Sequence, residues 1–191
     1  MKRLCVVGKG SSLLSQDIGE LIDSHDVIIR VNHLPDADNF NIVGSKTHIF
    51  STRSPEKLLN HIHLLDDLKI WITSNFIEKY TRFDTDKLKM LTSEEMTYIQ
   101  MYFSNFMNLK LQENSTLKNI VLPDAGISTV LLALLRFPLH KINVCGIDLY
   151  KDGNQSINEL RNNSSIFLTP VFQQMLYYKT LIKSGAINQL Y

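Results

Sequence analysis

A doubly wound α/β domain with a single, mostly parallel sheet, Rossmann-like in outline, is what this 191-residue sequence predicts. Apolar runs of four or five residues recur without strict alternation, as strands covered on both faces require. Helical stretches with apolar stripes separate those runs, the alternation that builds a parallel sheet. A glycine-rich turn, Gly8-Lys9-Gly10-Ser11-Ser12, follows the first run. At 21.9 kDa the chain has room for one domain and little more, so residues 1–191 are read as a single unit.

The first strand is Leu4-Cys5-Val6-Val7, an apolar run ended by Gly8. A helix is expected over residues 12–22, then a second strand over 27–31, which is dense in β-branched side chains. Residues 47–50 and 69–73 read as further strands, with a leucine-rich helix over 55–65 between them. Thr92-x-x-Glu95 is a capping box that opens a helix running to about Met107. Residues 119–122 read as a strand, 127–137 as a nearly all-apolar helix lying on the sheet, and 142–145 as the last strand. Thr169 as N-cap, Pro170 in the first turn and Gly185 past the end punctuate the final helix.

Composition narrows the functional classes. With 44% apolar and 20% charged residues the chain is an ordinary globular one rather than a disordered one. Twenty basic residues against nineteen acidic leave a net charge of +1, so no nucleic-acid partner is indicated. No apolar run reaches the ~18 residues of a membrane span, so any membrane association is expected to be peripheral. Met1-Lys2-Arg3 leads straight into the first strand, so no signal peptide is expected. Cys5 and Cys145 read as buried reduced thiols, and together these features predict a cytoplasmic location, extending to the inner face of the membrane.

Ligands of open α/β sheets bind beyond the carboxyl ends of the strands. That rule selects residues 8–12, Asn32-His33, Ser51-Thr52-Arg53 and residues 146–150 before any motif is consulted. The glycine turn either brings backbone close to an anion or simply turns tightly. The dinucleotide fingerprint fails, with Leu13 at its third glycine and Asn32 in place of the ribose-binding acid. A Walker A lysine-serine/threonine is missing as well, so NAD and ATP are disfavoured.

The stretch Gly19-Glu20-Leu21-Ile22-Asp23-Ser24-His25-Asp26-Val27-Ile28-Ile29-Arg30-Val31-Asn32, continuing to Val43-Gly44-Ser45-Lys46-Thr47, resembles the large sialyl motif of the family-29 sialyltransferases. Pro123-x-x-Gly126, an apolar helix and then Ile142-Asn143-Val144-Cys145-Gly146 look like the small sialyl motif. Gly146-Ile147-Asp148-Leu149-Tyr150 is closer to the bacterial family-42 enzymes. The resemblance implies a GT-A-like sialyltransferase fold and inverting transfer of sialic acid or a similar acidic sugar from a CMP-activated donor to a glycan acceptor. Bacterial surface glycans such as lipooligosaccharide are the acceptors it suggests. No cofactor or metal is implied, and Asp36-x-Asp38 reads as a solvated turn rather than a metal motif. The donor is expected among Gly8, Lys9, Gly10, Ser11, Asn32, Arg53, Ala125, Gly126, Gly146, Asp148 and Tyr150.

The chain departs from the family's pattern at several of these positions. Lys9 stands where asparagine is usual between the glycines, and could meet phosphate as a point charge. Asp124 and Ala125 replace the small motif's hydroxyls; Asp124 either repels the donor carboxylate or caps the following helix. The position of the family's base histidine falls near Leu168, and no histidine follows His140. Among the six histidines, only His33 falls at the ligand-facing rim, either as a base or as a solvated loop residue. Arg53 either pairs with an anion or decorates the surface. The Met and aromatic stripe over residues 84–112 forms either core or an acceptor-side lid. A non-catalytic CMP-binding module is the rival reading, supported by the missing base.

Overall fold

The computed structural model describes residues 1–65, 67–74, 77–80, 83, 88–107, 123–148 and 168–190. The strands are β1 (Arg3–Val7), β2 (Val27–Val31), β3 (Ile49–Thr52), β4 (Lys69–Ile72), β5 (Leu88–Met90), β6 (Lys141–Cys145) and β7 (Asn188–Gln189). All pair in parallel in one seven-stranded sheet of order β5-β4-β3-β2-β1-β6-β7. The chain winds outward from β1 to β5 and then returns to the other side of β1 as β6. The switch point of the sheet therefore lies between the ends of β1 and β6, where open α/β sheets place their ligands.

Six α-helices flank the sheet among the described residues: α1 (Gly19–Asp23), α2 (Phe40–Val43), α3 (Pro55–His61), α4 (Ser93–Met107), α5 (Ala125–Arg136) and α6 (Leu168–Lys183). Both faces are covered, as the continuous apolar runs demand. Leu4, Val6, Ile29 and Val144 pack with side chains of α4, α5 and α6 on one face. Cys5, Val7, Ile28 and Cys145 pack with Leu13, Ile22 and Val43 on the other. The two cysteines are buried side by side, sulfurs 3.8 Å apart and not joined.

Most expected elements form, and the differences have local causes. Residues 12–22 do not make one helix. A 3-10 turn over Ser11–Ser15 is followed by extended backbone at Gln16 and then by α1. Leu13 and Ile22 anchor the two pieces in the same apolar cluster, while Ser15, Gln16 and Asp17 between them are exposed and include weak helix formers. The third strand runs two residues later than expected, leaving His48 before it. Buried Ser51 and Thr52 sit inside the strand because their hydroxyls find partners in Thr129 (2.7 Å) and Asn32 (2.8 Å).

The capping box of α4 forms as expected: Glu95 N–H donates to Thr92 Oγ1 (3.2 Å) and Thr92 N–H to Glu95 Oε2 (3.0 Å). Helix α6 opens at Leu168, so Thr169 and Pro170 lie in its first turn rather than Thr169 capping it. Proline is tolerated there because first-turn N–H groups have no partner within the helix. The short strands β5 and β7, three and two residues long, carry no periodic pattern to announce them. The strand expected over 119–122 lies outside the described residues.

Within the Met and aromatic stripe, Met96 and Phe103 are core, while Met101 and Tyr102 are exposed. Residues 84–87 and 108–112 of that stretch lie outside the described residues.

Candidate donor-binding site

The long motif over residues 19–47 builds the floor beside the switch point, and Asp23, His25 and Arg30 within it are held largely by backbone groups. Asp23 accepts from the N–H of Ser45 (2.8 Å) and of Lys46 (2.9 Å), and from the Ser45 hydroxyl (2.8 Å). Burial pushes its carboxyl up, and these donors more than offset that, holding it below its ordinary 3.8. His25 bridges the Leu21 and Ile22 carbonyls (2.9 and 3.0 Å) with Nδ1 and meets Asn143 of β6 through Nε2 (2.7 Å). Arg30 is wholly buried, with Nε donating to Lys46 O and Thr47 Oγ1 and Nη2 to Val43 O and Gly44 O, at 2.9–3.1 Å. These contacts lock the loop before β3 to the end of α1.

At the switch point the glycine turn is pressed against the end of β6. Gly8 N–H donates to Cys145 O (2.8 Å) and Gly10 N–H to Gly146 O (2.6 Å). A Cβ on Gly8 would stand 2.1 Å from Gly146 O, which explains why no side chain fits there. Asp148 closes the turn: its carboxylate accepts from Ser12 N–H (2.8 Å) and from the Ser12 hydroxyl. Ser11 lies beside it, exposed.

A cleft of about 220 Å³ opens between this turn and the segment after β2, lined by Lys9, Gly10, Leu13, Leu14, His33, Leu34, Pro35, Asp36, Asn39 and Val43. His33 lines it as a part-buried side chain. Its Nδ1–H donates to Val31 O (3.0 Å), which leaves Nε2 as the acceptor of the neutral ring. Burial draws the His33 pKa below its ordinary 6.5; the Val31 carbonyl opposes this, while the charges of Arg30, Lys9 and His61 reinforce it. The ring is therefore neutral at pH 7. Asn32 ends β2 in the left-handed region at φ +64, which asparagine tolerates better than most residues. Its Oδ1 accepts from Thr52 Oγ1 (2.8 Å), so its NH₂ group is left with no partner among the described residues.

A third part of the rim is a strut. Arg53 donates through Nε to Thr73 O (3.0 Å) and through Nη2 to Ser128 Oγ (2.9 Å) and Pro123 O, tying β3 and β4 to the start of α5. Its guanidinium is thus bound within the protein, part-buried, rather than spread over the surface. Asp124 caps α5, accepting from Ile127 N–H (2.9 Å), while its own N–H donates to Gln174 of α6 (2.7 Å). Burial raises the Asp124 carboxyl above its ordinary 3.8, against the pull of the Ile127 amide, Arg53 and the Gly126 amide. Ala125 and Gly126 form the first turn of this capped helix.

A sequence model described as glycosyltransferase family 29 (sialyltransferase) matches residues 1–136, well over half the chain. The chain belongs to that family. No curated protein matches it in sequence. A mammalian sialyltransferase in complex with Gal-beta-1-3GalNAc-ortho-nitrophenol superposes with a TM-score of 0.54 at 18% identity, over 76% of this chain and 55% of that one. A second mammalian sialyltransferase structure superposes with a TM-score of 0.63 at 16% identity, over 99% of this chain and 68% of that one. At such identities the likeness is one of fold. This family-29 chain spans little more than half to two thirds of the lengths of those two proteins.

Of the residues singled out from sequence, Gly8, Lys9, Gly10, Ser11, Gly146 and Asp148 meet at the switch point, with Asn32 and His33 on the neighbouring strand end. Arg53, Ala125 and Gly126 form the separate strut. Tyr150 lies outside the described residues, as does Leu149, and with them the end of the segment that resembles the family-42 enzymes. Leu168 opens α6. Sequence reasoning placed Ser12 and Thr52 at the rim but not their pairing with Asp148 and Asn32, and it missed Gln174 and Tyr178. Ser12 and Asp148 are 136 positions apart, and no spacing rule links them. Tyr178 is buried beside Asp148, where burial first, and then the nearby acidic groups, raise its phenol far above 10.

Proposed function

We propose that this family-29 chain is an inverting, metal-independent glycosyltransferase that moves sialic acid, or a similar acidic sugar, from a CMP-activated donor to a glycan acceptor. The observation that carries the reading is the cleft between the glycine turn and the segment after β2, with a neutral His33 in its wall and Lys9 at its edge. Family membership supports the reaction class. Cell-surface glycans of the lipooligosaccharide kind are the acceptors we propose.

In this reading His33 Nε2 takes the proton of the acceptor hydroxyl, a role suited to a ring whose Nδ1–H is fixed on Val31 O. The acceptor oxygen bonds to the anomeric carbon as the bond from that carbon to the phosphate oxygen breaks. CMP departs with the bonding pair, its charge met by hydrogen bonds and Lys9. Asn32 offers its free amide hydrogens to the nucleotide.

Thermal protection by CMP, followed by transfer from CMP-sialic acid to an array of glycans with and without a chelator, tests this. CMP should raise the melting temperature, and transfer should persist in the chelator. Asn32→Gly keeps the left-handed backbone while removing the amide, so it should lose the protection and stay folded. Protection without transfer to any glycan leaves the chain a nucleotide-binding module; no protection by CMP ends the donor assignment.

A further inference from the structure

The glycine turn lies where such turns often cradle phosphates, yet most of its backbone donors are taken. Gly8, Gly10 and Ser12 N–H groups donate to Cys145 O, Gly146 O and Asp148 Oδ2, and Leu13 N–H donates to Gly10 O (3.1 Å). The Ser12 hydroxyl also goes to Asp148. The Asp148 carboxylate fills the ground over Gly10 so closely that a Cβ there would meet it at 2.2 Å. A phosphate approaching along the turn's backbone would find few open donors and a like charge in its path. The cleft side of the same turn is different. Lys9 lines it with no hydrogen-bond or ion-pair partner among the described residues, and the cleft's other walls are largely apolar, from Leu13, Leu34 and Pro35. Asp36, the carboxylate of that lining, belongs to the opposite wall and makes no ion pair with Lys9.

We propose that the Lys9 ammonium, and not the backbone of the glycine turn, holds the donor's phosphate and stabilises it as it leaves. The inference rests on the donor reading above and assigns the phosphate subsite within it. A lysine acts there as a point charge, without the geometric demands of a bidentate clamp, so the fork of the strut's Arg53 is not its equivalent. The partial enclosure of the cleft strengthens that charge relative to open water. Lys9 and His33 share the cleft, so the group that receives the leaving charge and the group that takes the acceptor proton border one space. Asp148 in turn keeps the phosphate on the cleft side by repelling it from the other.

Binding of CMP and of cytidine by calorimetry, in low and high salt, tests the assignment with the wild-type chain, Lys9→Gln and Lys9→Arg. Wild type should prefer CMP over cytidine by about tenfold or more, with the preference shrinking in high salt. Lys9→Gln should bring CMP down to the cytidine level with cytidine binding unchanged and the melting temperature held. Lys9→Arg should keep most of the preference. If Lys9→Gln retains the full preference for CMP, or if wild type binds the two alike, the phosphate is not on Lys9 and the inference fails while nucleoside binding stands. If wild type binds neither compound, the donor reading beneath it fails instead.

Discussion

Two neighbouring regions of this molecule use their polar side chains in opposite ways. Between Gly19 and Thr47, Asp23, His25 and Arg30 are each held by two or more hydrogen bonds, mostly to backbone, and Arg30 is wholly buried. At the adjoining strand ends, Lys9 has no partner among the described residues, Asn32 keeps its NH₂ group open and His33 keeps one ring nitrogen open. The stretch most recognisable as a sialyl motif is thus mainly scaffold, and the polar groups left open stand at its end, in Asn32, and beside it, in Lys9 and His33. A buried, fully engaged polar network specifies one loop geometry, and that geometry positions the few side chains left available.

The comparison breaks if the scaffold side proves dispensable. Arg30→Met leaves the Val43, Gly44 and Lys46 carbonyls without their donor, and the loss should be about 4 kcal/mol, or about 10 °C in melting temperature, read by thermal unfolding. A variant that unfolds as wild type does would show that the motif's arginine is kept for something other than the fold.

The next effect falls on the rim. His33→Gln should leave the melting temperature within a few degrees and lower the transfer rate by about 10² or more. The pH profile sharpens this. The folded pKa of His33 lies below its ordinary 6.5, so the ring is unprotonated at neutral pH, as the proposed base must be. Transfer should hold steady through pH 7 and fall only as the pH drops below 6.5, on a limb absent from His33→Gln. An acid limb centred above 6.5 would assign the proton to another group.

The smallest effect concerns the strut. Asp124→Ala removes the cap of α5 and should cost about 1 kcal/mol. Asp124→Asn keeps an acceptor at the cap and removes a carboxylate that burial disfavours, so its stability should match or slightly exceed wild type. Equal losses in both variants would mean that the charge, through Arg53, matters more than the cap.

Much of the fold was legible along the chain because burial on both faces writes continuous apolar runs. Leu4–Val7, Val27–Val31 and Ile142–Cys145 each became an interior strand of the sheet. Asp124 was readable as a cap and Thr92 with Glu95 as a capping box, since both act within a single turn. The break between Ser15 and Gly19 was not readable, because it depends on Leu13 and Ile22 sharing one cluster. Nor were β5 and β7, whose pairing with β4 and β6 is made at the sheet's edges by three and two residues.

The site divides in the same way. That the rim residues would come from the ends of β1, β2 and β6 follows from strand order and the rule for open sheets, both of which local patterns can suggest. Which of them stay available does not. Asp148 meets Ser12 across 136 positions, and Arg53 reaches Ser128 across 75, so only the folded chain decides that most of the turn's amides are occupied, that Arg53 is a strut and that Lys9 and His33 face one cleft. Local sequence determines backbone preference and apolar pattern; the partner of a polar group is set by whichever distant segment the packing brings within hydrogen-bond reach.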